Sequence, residues 1–452
     1  MLPFVAKSGE TREVTARAGL PLIIETMRAL ELDKVAHEEL PAPKRQRGFA
    51  QEDKLESLVM LLASGGDRVE DIGVLKEDLG LQRLIGGEFP SADALLDFLR
   101  QCDDPRAFDD RPAGKKAFVP AETPGLRGLE AINRAAVERG ADRAITTATI
   151  DHDGTIIESH NREAKMAYEG TRGYQPLVAV WAEQQLIVAD EFRDGNVAGG
   201  EDPLSSAKRA FANLPAWVTE RYFRADSAAY YAPLLKYLAG EKIGFSVSAD
   251  MSQELHARCL AVPPEQWIEM ETRPREKVHV AEVEFTPGDW PKDAQPLRYI
   301  TVRFTPLQTE MFDAPAAPKH LAIVTNRDLP PAQLARWHWQ KAGTIEHVHR
   351  VMKDELGASV MPSSRFGVNA AWFRINALTF NVLTVLKRRA LPERYHNARP
   401  KRLRFEIFTM PAKLVVHQSQ LIAYLAADTV RSDEITVARQ KLAAIFESAT
   451  AA

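Results

Sequence analysis

The chain has 452 residues and a mass of 50.4 kDa, with 45% hydrophobic and 27% charged residues and with 28 prolines and 25 glycines spread along it. These proportions exclude disorder and fibrous repeats and leave room for two to four domains at roughly 100–200 residues each. Against 62 Asp and Glu stand 58 Lys and Arg, a formal net charge of −4, so bulk charge gives no sign of a nucleic-acid partner. Two cysteines, Cys102 and Cys259, make neither a disulfide framework nor a zinc cluster. The N-terminus shows no leader pattern and no stretch reaches the apolar length of a membrane span, so the expectation is a cytoplasmic protein with no membrane partner.

Between 55 and 100 the apolar spacing predicts short helices in LESLVMLLASGG, VEDIGVLKEDLGLQRLIGG and ADALLDFLRQC, with glycine pairs as stops and Pro90-Ser91 as a start signal. Such helices can present one member to a DNA groove, and core packing produces the same pattern. A polar connector over 103–124 leads to another helix at 125–139. Beyond Arg143 the texture changes: ITTATIDHDGTIIESH, YQPLVAVWAE and QLIVADEFRDG predict a meander of three strands. Helices at 203–213 and 230–239 interleave with strands at 221–226 and 243–248, which makes this stretch α/β. KVHVAEVEFTP, LRYITVRFTP and HLAIVTN predict further strands, and two long helices follow at 331–356 and 368–389.

Acids interrupt these elements at three places. Asp151 and Asp153 sit at i and i+2 in the first strand and project from one face. Two like charges on a buried strand are costly unless a cation neutralises them. Asp226 ends the fourth strand in RADS, and Glu346 stands in GTIEHVH beside the apolar stripe of Ile345, Val348, Met352 and Leu356. Hard cations such as Mg²⁺ bind a few carboxylates while keeping water and phosphate oxygens in their shell, and a pair of them drives in-line displacement at phosphorus. Asp151-His-Asp153 also matches the DxD metal motif of a nucleotide-sugar glycosyltransferase, an alternative that nothing else in the chain supports. His347 and His349 point about 200° apart on a helix and do not easily share zinc.

With these motifs in their order, the chain resembles the DDE transposases of bacterial insertion sequences, and most closely the insertion-sequence family numbered thirteen-eighty, a relative of the family numbered four. The resemblance spans about 55–413 and rests on GGDRVEDIGVLKEDLGLQRLIGGEFPSADALLDFL, DHDGT, EGTRGYQPLVAVW, FRDGN, RADS, GTIEHVHRVMKDELG and FRINALTFNVL. It implies a multi-domain α/β protein with an RNase H-like, cut-and-paste catalytic core interrupted by a β-rich insertion. The expected domains are a helical DNA-end-binding part at 1–124, a first core part at 125–249, the insertion at 250–327, a second core part with the Glu-bearing helix at 328–390, and a basic helical C-terminal region at 391–452.

The resemblance implies Asp153, Asp226 and Glu346 as catalytic, metal-holding acids with two Mg²⁺ or Mn²⁺ ions. Asp151 is either a supporting acid or, with a shifted register, the first ligand itself. The family's aromatic seven residues before its Glu is Trp339 here, its Lys seven after is Lys353, and its Arg four before is replaced by Ala342, with Lys341 one position away. That replacement keeps open a second alternative, a transposase-derived DNA-binding protein without catalysis. The implied reaction nicks double-stranded DNA at terminal inverted repeats, passes through a hairpin and joins target DNA, in a homodimer acting at the bacterial nucleoid. The 120 positions from Asp226 to Glu346 leave space for the insertion, whose Trp267 and Trp290 could stack on a flipped base or simply pack.

Charge is uneven along the chain. The segment 387–404 carries eight basic residues, among them Arg388, Arg389, Lys401 and Arg402, against the single acid Glu393, a composition suited to the phosphate backbone. Lys44, Arg45 and Arg47 form a smaller cluster that could help read the inverted repeat.

Overall fold

A computed structural model of the protein describes residues 12–42, 48–288, 290, 296–307, 317–426 and 428–450; the Lys44, Arg45 and Arg47 cluster lies outside them. The architecture is mixed α/β around one nine-stranded sheet. From one edge to the other its strands are Ile268–Arg273, Glu276–Val283, Arg298–Pro306, Lys319–Thr325, Gly244–Ser248, Glu220–Ala225, Thr147–Gly154, Leu177–Trp181 and Leu186–Glu191. Gly244–Ser248, Glu220–Ala225 and Thr147–Gly154 run parallel, and every other pairing is antiparallel.

The two kinds of pairing follow from the connections. Antiparallel strands need only tight turns, whereas the parallel ones are linked by the helices Pro203–Ala212 and Ala232–Gly240. Burial matches this arrangement. Leu177–Trp181 is buried at every position, as a strand covered on both faces must be, and its VAV run supplies the β-branched side chains that fill such a site. Three strands are expected in 250–327; Ile268–Arg273 makes a fourth, and all four extend the same sheet, because Lys319–Thr325 pairs with Gly244–Ser248 through Ile323, Val324 and Thr325.

Two helices hold the sheet to the rest. The long helix Pro331–Glu355 starts with proline in its first turn and spans two apolar clusters: Leu334 and Ala335 meet Val278, Val280, Ile300 and Val302, while Ile345, Val348 and Met352 join the main core. The helix Phe366–Val385 is buried from Gly367 to Val385. A helix apolar on all sides belongs in the middle of a protein, and this one packs against Gln51–Ser64, Ala92–Arg100, Pro124–Gly140 and the strand Leu186–Glu191. The N-terminal helices and the sheet therefore share one apolar core.

The C-terminal region, expected as helical, carries a hairpin beside its helices Pro400–Leu403 and Thr429–Thr450. Ala412–His417 and Gln420–Leu425 form a hairpin whose turn residues Gln418 and Ser419 have φ of 48° and 63°. Both left-handed positions suit the tight turn that follows right-handed strand twist, although neither residue is the usual glycine or asparagine. Val14–Thr15 adds a third strand, so the two ends of the described chain are tied by backbone hydrogen bonds. Among the described residues no helix is long and apolar enough to cross a membrane.

Candidate active site

The parallel pairing of Thr147–Gly154 with Glu220–Ala225 places His152 opposite Ala225, so the next residues stand side by side at the same end, Asp153 still paired with Val178 and Asp226 just past the end of its strand. Asp226 caps the turn Ser227–Ala229 through an acceptor bond from the Ala228 N–H at 3.2 Å. Its residue surface is exposed, yet the carboxyl sits low among protein atoms, and burial first and the charge of Asp153 second raise it above the usual carboxylate range.

Asp153 has a cation beside it. Lys341 Nζ donates to Asp153 Oδ2 at 2.9 Å, while Oδ1 accepts from the Gly154 N–H at 2.9 Å. Lys341 belongs to the long helix, which is pinned to this strand at two further points. Thr344 donates to Asp151, and Lys353 Nζ reaches Thr155 Oγ1 at 3.3 Å and the Ile156 carbonyl at 3.1 Å.

Asp151 shares the strand face of Asp153 but not its surroundings. It is fully buried, and Arg224 on the neighbouring strand donates to both its oxygens, from Nε at 2.6 Å and Nη2 at 2.9 Å. With Thr344 added, Asp151 has three donors and no open side, so Asp153 is the acid of the pair that faces Asp226. Sequence reasoning missed Arg224, although its position in RADS one pleat from Asp226 was a usable signal.

Glu346 is exposed on the long helix, and Lys353 lies two turns further on nearly the same helix face. Among the described residues no three His, Cys, Asp or Glu side chains stand within reach of one ion. The donor set still suits a hard cation: Asp153 and Asp226 offer oxygen ligands at adjacent strand ends, and the Lys341 ammonium shows that this place accepts positive charge. His349, one turn beyond Glu346, was also missed as a site neighbour. It is buried, neither ring nitrogen has a partner among the described residues, and burial holds it down at about 4 against the opposing pull of Asp153.

A family model described as the transposase DDE domain, group 1, matches residues 5–446. The chain belongs to the DDE transposases. No curated protein matches the sequence. Among solved structures the transposase is similar to the piggyBac transposase synaptic complex with hairpin DNA, at 13% identity and a TM-score of 0.42, over 96% of this chain and 81% of that one.

The transposase uses its other expected site residues in varied ways. Trp339 packs on the sheet, 5.1 Å from the Arg273 guanidinium and 6.1 Å from the Phe304 ring, and so ties the Glu346 helix to the strands beside it. Trp290 is buried in the main core and has Lys236 over its ring at 5.9 Å. Trp267 is half-buried under the Arg303 guanidinium at 4.1 Å. Ala342 is exposed and Lys341 beside it turns to Asp153.

The basic run is largely engaged within the transposase. Arg388 donates to the Gln184 carbonyl at 2.6 Å, Arg389 to that of Gly140 at 3.4 Å, and Arg404 to that of Ala63 at 2.9 Å. Arg394 pairs with Glu434 and Arg402 with Glu406, both at 2.7 Å, while Arg399 pairs with Glu355. The Lys401 side chain is exposed. Guanidinium groups that cap carbonyls stitch the C-terminal segment to the core, and this accounts for much of a charge cluster that sequence alone assigns to phosphate.

Proposed function

We propose that this transposase cuts double-stranded DNA at the terminal inverted repeats of an insertion sequence and joins the freed ends to target DNA, with Asp153, Asp226 and Glu346 as its reacting acids on an RNase H-like core. One observation carries the reading: Asp153 and Asp226 stand at the same end of neighbouring parallel strands, and the charge of one raises the carboxyl of the other. Acids so placed resist joint ionisation unless cations share them, which suits two Mg²⁺ or Mn²⁺ ions with oxygen ligands. When bound, such ions activate the attacking oxygen and stabilise the departing one.

The chain's own residues supply positioning. Lys341, released from Asp153 once other positive charge is present, would turn to a phosphate oxygen, and Lys353 keeps the Glu346 helix fastened to the strand end that carries Asp153. In the first step a water oxygen bonds to phosphorus as the bond to the 3′-oxygen breaks, leaving a 3′-hydroxyl and a 5′-phosphate. That hydroxyl attacks phosphorus on the opposite strand and closes a hairpin; after reopening, it attacks target DNA. Each step exchanges one oxygen for another at phosphorus, so a single acid set serves them all. Cutting and joining two ends together favours a homodimer.

The test is Asp226→Asn, assayed on duplex DNA from either side of the coding region with Mg²⁺ or Mn²⁺. The variant is expected to bind DNA and leave both strands intact. Full strand cleavage by it would overturn the assignment.

A further inference from the structure

On the sheet face turned away from the long helix, three basic side chains form a row across three antiparallel strands. His279 lies opposite Arg303, and Arg303 lies opposite His320. Strand alternation puts them there: Ile300, Val302 and Phe304 pack toward Leu334 and Ala335 of the long helix, so Arg303 between them faces the other way. Strands stand about 4.8 Å apart, which makes the row about 10 Å long.

The row is built, and among the described residues its one nearby acid is shared. The Arg303 guanidinium lies over the Trp267 ring at 4.1 Å, and the Trp267 ring centroid is 5.9 Å from that of His320; the exposed His256 meets His320 at 6.1 Å. Arg303 Nε, His279 Nδ1 and His320 Nδ1 are buried atoms without a hydrogen-bond partner among the described residues. The neighbouring acid, Glu269, is divided between Lys277 at 3.7 Å and His279 Nε2 at 3.9 Å. Burial lowers the Arg303 guanidinium from its usual value, and no acid among the described residues acts against it. Burial and then the charge of Arg303 lower both His279 and His320, so the row holds one fixed cation flanked by two imidazoles whose tautomers adapt to a ligand. Buried polar atoms left without partners side by side are unusual in a folded protein. A guanidinium held on an indole is already oriented for an oxyanion, since little freedom remains to be lost on binding.

We infer that the His279–Arg303–His320 row binds the sugar–phosphate backbone of DNA, with the Arg303 guanidinium on a phosphodiester oxygen and the two imidazoles beside it, along a strand that crosses these three strands of the sheet. Cations that face phosphates add affinity without reading sequence. The inference rests on the DNA-cutting reading above and extends it to a surface on the face of the sheet opposite the long helix that carries Glu346.

The experiment measures binding of a terminal duplex and of a random duplex of equal length, without divalent metal, across a salt series. Arg303→Gln is expected to lose about tenfold in affinity on both duplexes and to lower the salt slope by about one unit. Arg303→Lys should restore most of the slope. Because Arg303 packs on Trp267, the exposed His256→Glu provides a variant with little risk to the fold, and its added negative charge should weaken binding most at low salt. Unchanged affinity and slope in both Arg303→Gln and His256→Glu would overturn the proposal, as would a loss confined to the terminal duplex. Wild-type protein that binds through Arg303 but cuts no DNA end would overturn the proposed function instead and leave this site standing.

Discussion

Arg224 grips both carboxylate oxygens of Asp151 from the neighbouring parallel strand, at 2.6 and 2.9 Å, with both side chains withdrawn from water. The same guanidinium reaches the Trp337 carbonyl at 2.6 Å and lies 5.2 Å from the Trp337 ring, so one residue joins the two strands that bear Asp153 and Asp226 to the helix that bears Glu346.

Removing Arg224 should therefore damage folding more than chemistry alone would explain. Arg224→Met leaves the Asp151 charge buried and unpaired, at a cost of about 3–5 kcal/mol. Pairing it with Asp151→Asn should recover much of that loss, read by urea denaturation of the single and double variants. Equal stability of Arg224→Met and wild type would show that the pair does not hold these strands together.

Asp226→Asn should stabilise the metal-free protein near neutral pH while abolishing cleavage. The sign follows from the raised carboxyl: a folded-state value above the unfolded one, near 3.9, means that ionisation costs stability as pH rises. Asparagine removes that cost, so the thermal midpoint should exceed wild type at pH 7 and converge with it below about pH 4. A lower midpoint at pH 7 would contradict the crowding of Asp226 by Asp153.

Lys341→Met removes the cation from Asp153 and leaves two acids facing each other. The variant should unfold at lower temperature in chelator, and added Mg²⁺ should raise its midpoint more than that of wild type, since the bound ion then replaces a missing charge. DNA cleavage should fall as well. If Mg²⁺ shifts both midpoints equally, Lys341 does not stand in for a cation.

A second buried ion cluster secures the connector to the core. Arg374 donates to Asp190 at 3.0 and 3.1 Å, to Glu122 at 2.8 and 3.1 Å, and to the Leu126 carbonyl at 2.7 Å. Burial pushes Glu122 up, but Arg374 and Arg209 outweigh it and hold the carboxyl at about 2. Its stabilising share is present above the ordinary glutamate value, about 4.3, and is lost as pH falls from there toward 2. Glu122→Gln should lower stability at pH 7 and flatten the acid limb of a stability-versus-pH curve; an unchanged acid limb would remove Glu122 from the cluster's energetics.

Much of this was legible in the residues. The run ITTATIDHDG marks a buried strand broken by acids, RADS marks the end of another, and the 3.6-residue stripe of Ile345, Val348 and Met352 fixes which face of the long helix meets the sheet. The hairpin of Ala412–His417 and Gln420–Leu425 was not legible, because its turn uses Gln418 and Ser419 where glycine or asparagine would have announced it. Asp151 and Asp153 could not be told apart either. They share a face, and only the partners brought from other strands and helices separate them: Arg224 and Thr344 enclose one, while Lys341 and Asp226 adjoin the other.

By itself the sequence determined local matters: which segments bury a stripe or a face, where the acids interrupt them, and a net charge of −4 with a basic run near its C-terminal end. Tertiary structure decided what those charges do. Arg388, Arg394 and Arg402 look like phosphate ligands in a one-dimensional string, yet fold onto carbonyls and acids, whereas Arg303, inconspicuous between Val302 and Phe304, meets no acid among the described residues. The reason is range. Patterning and propensity act between residues a few positions apart, but a charge is satisfied or left open by whatever lies within a few ångströms of it, and in this chain those neighbours come from as far as 414 positions away.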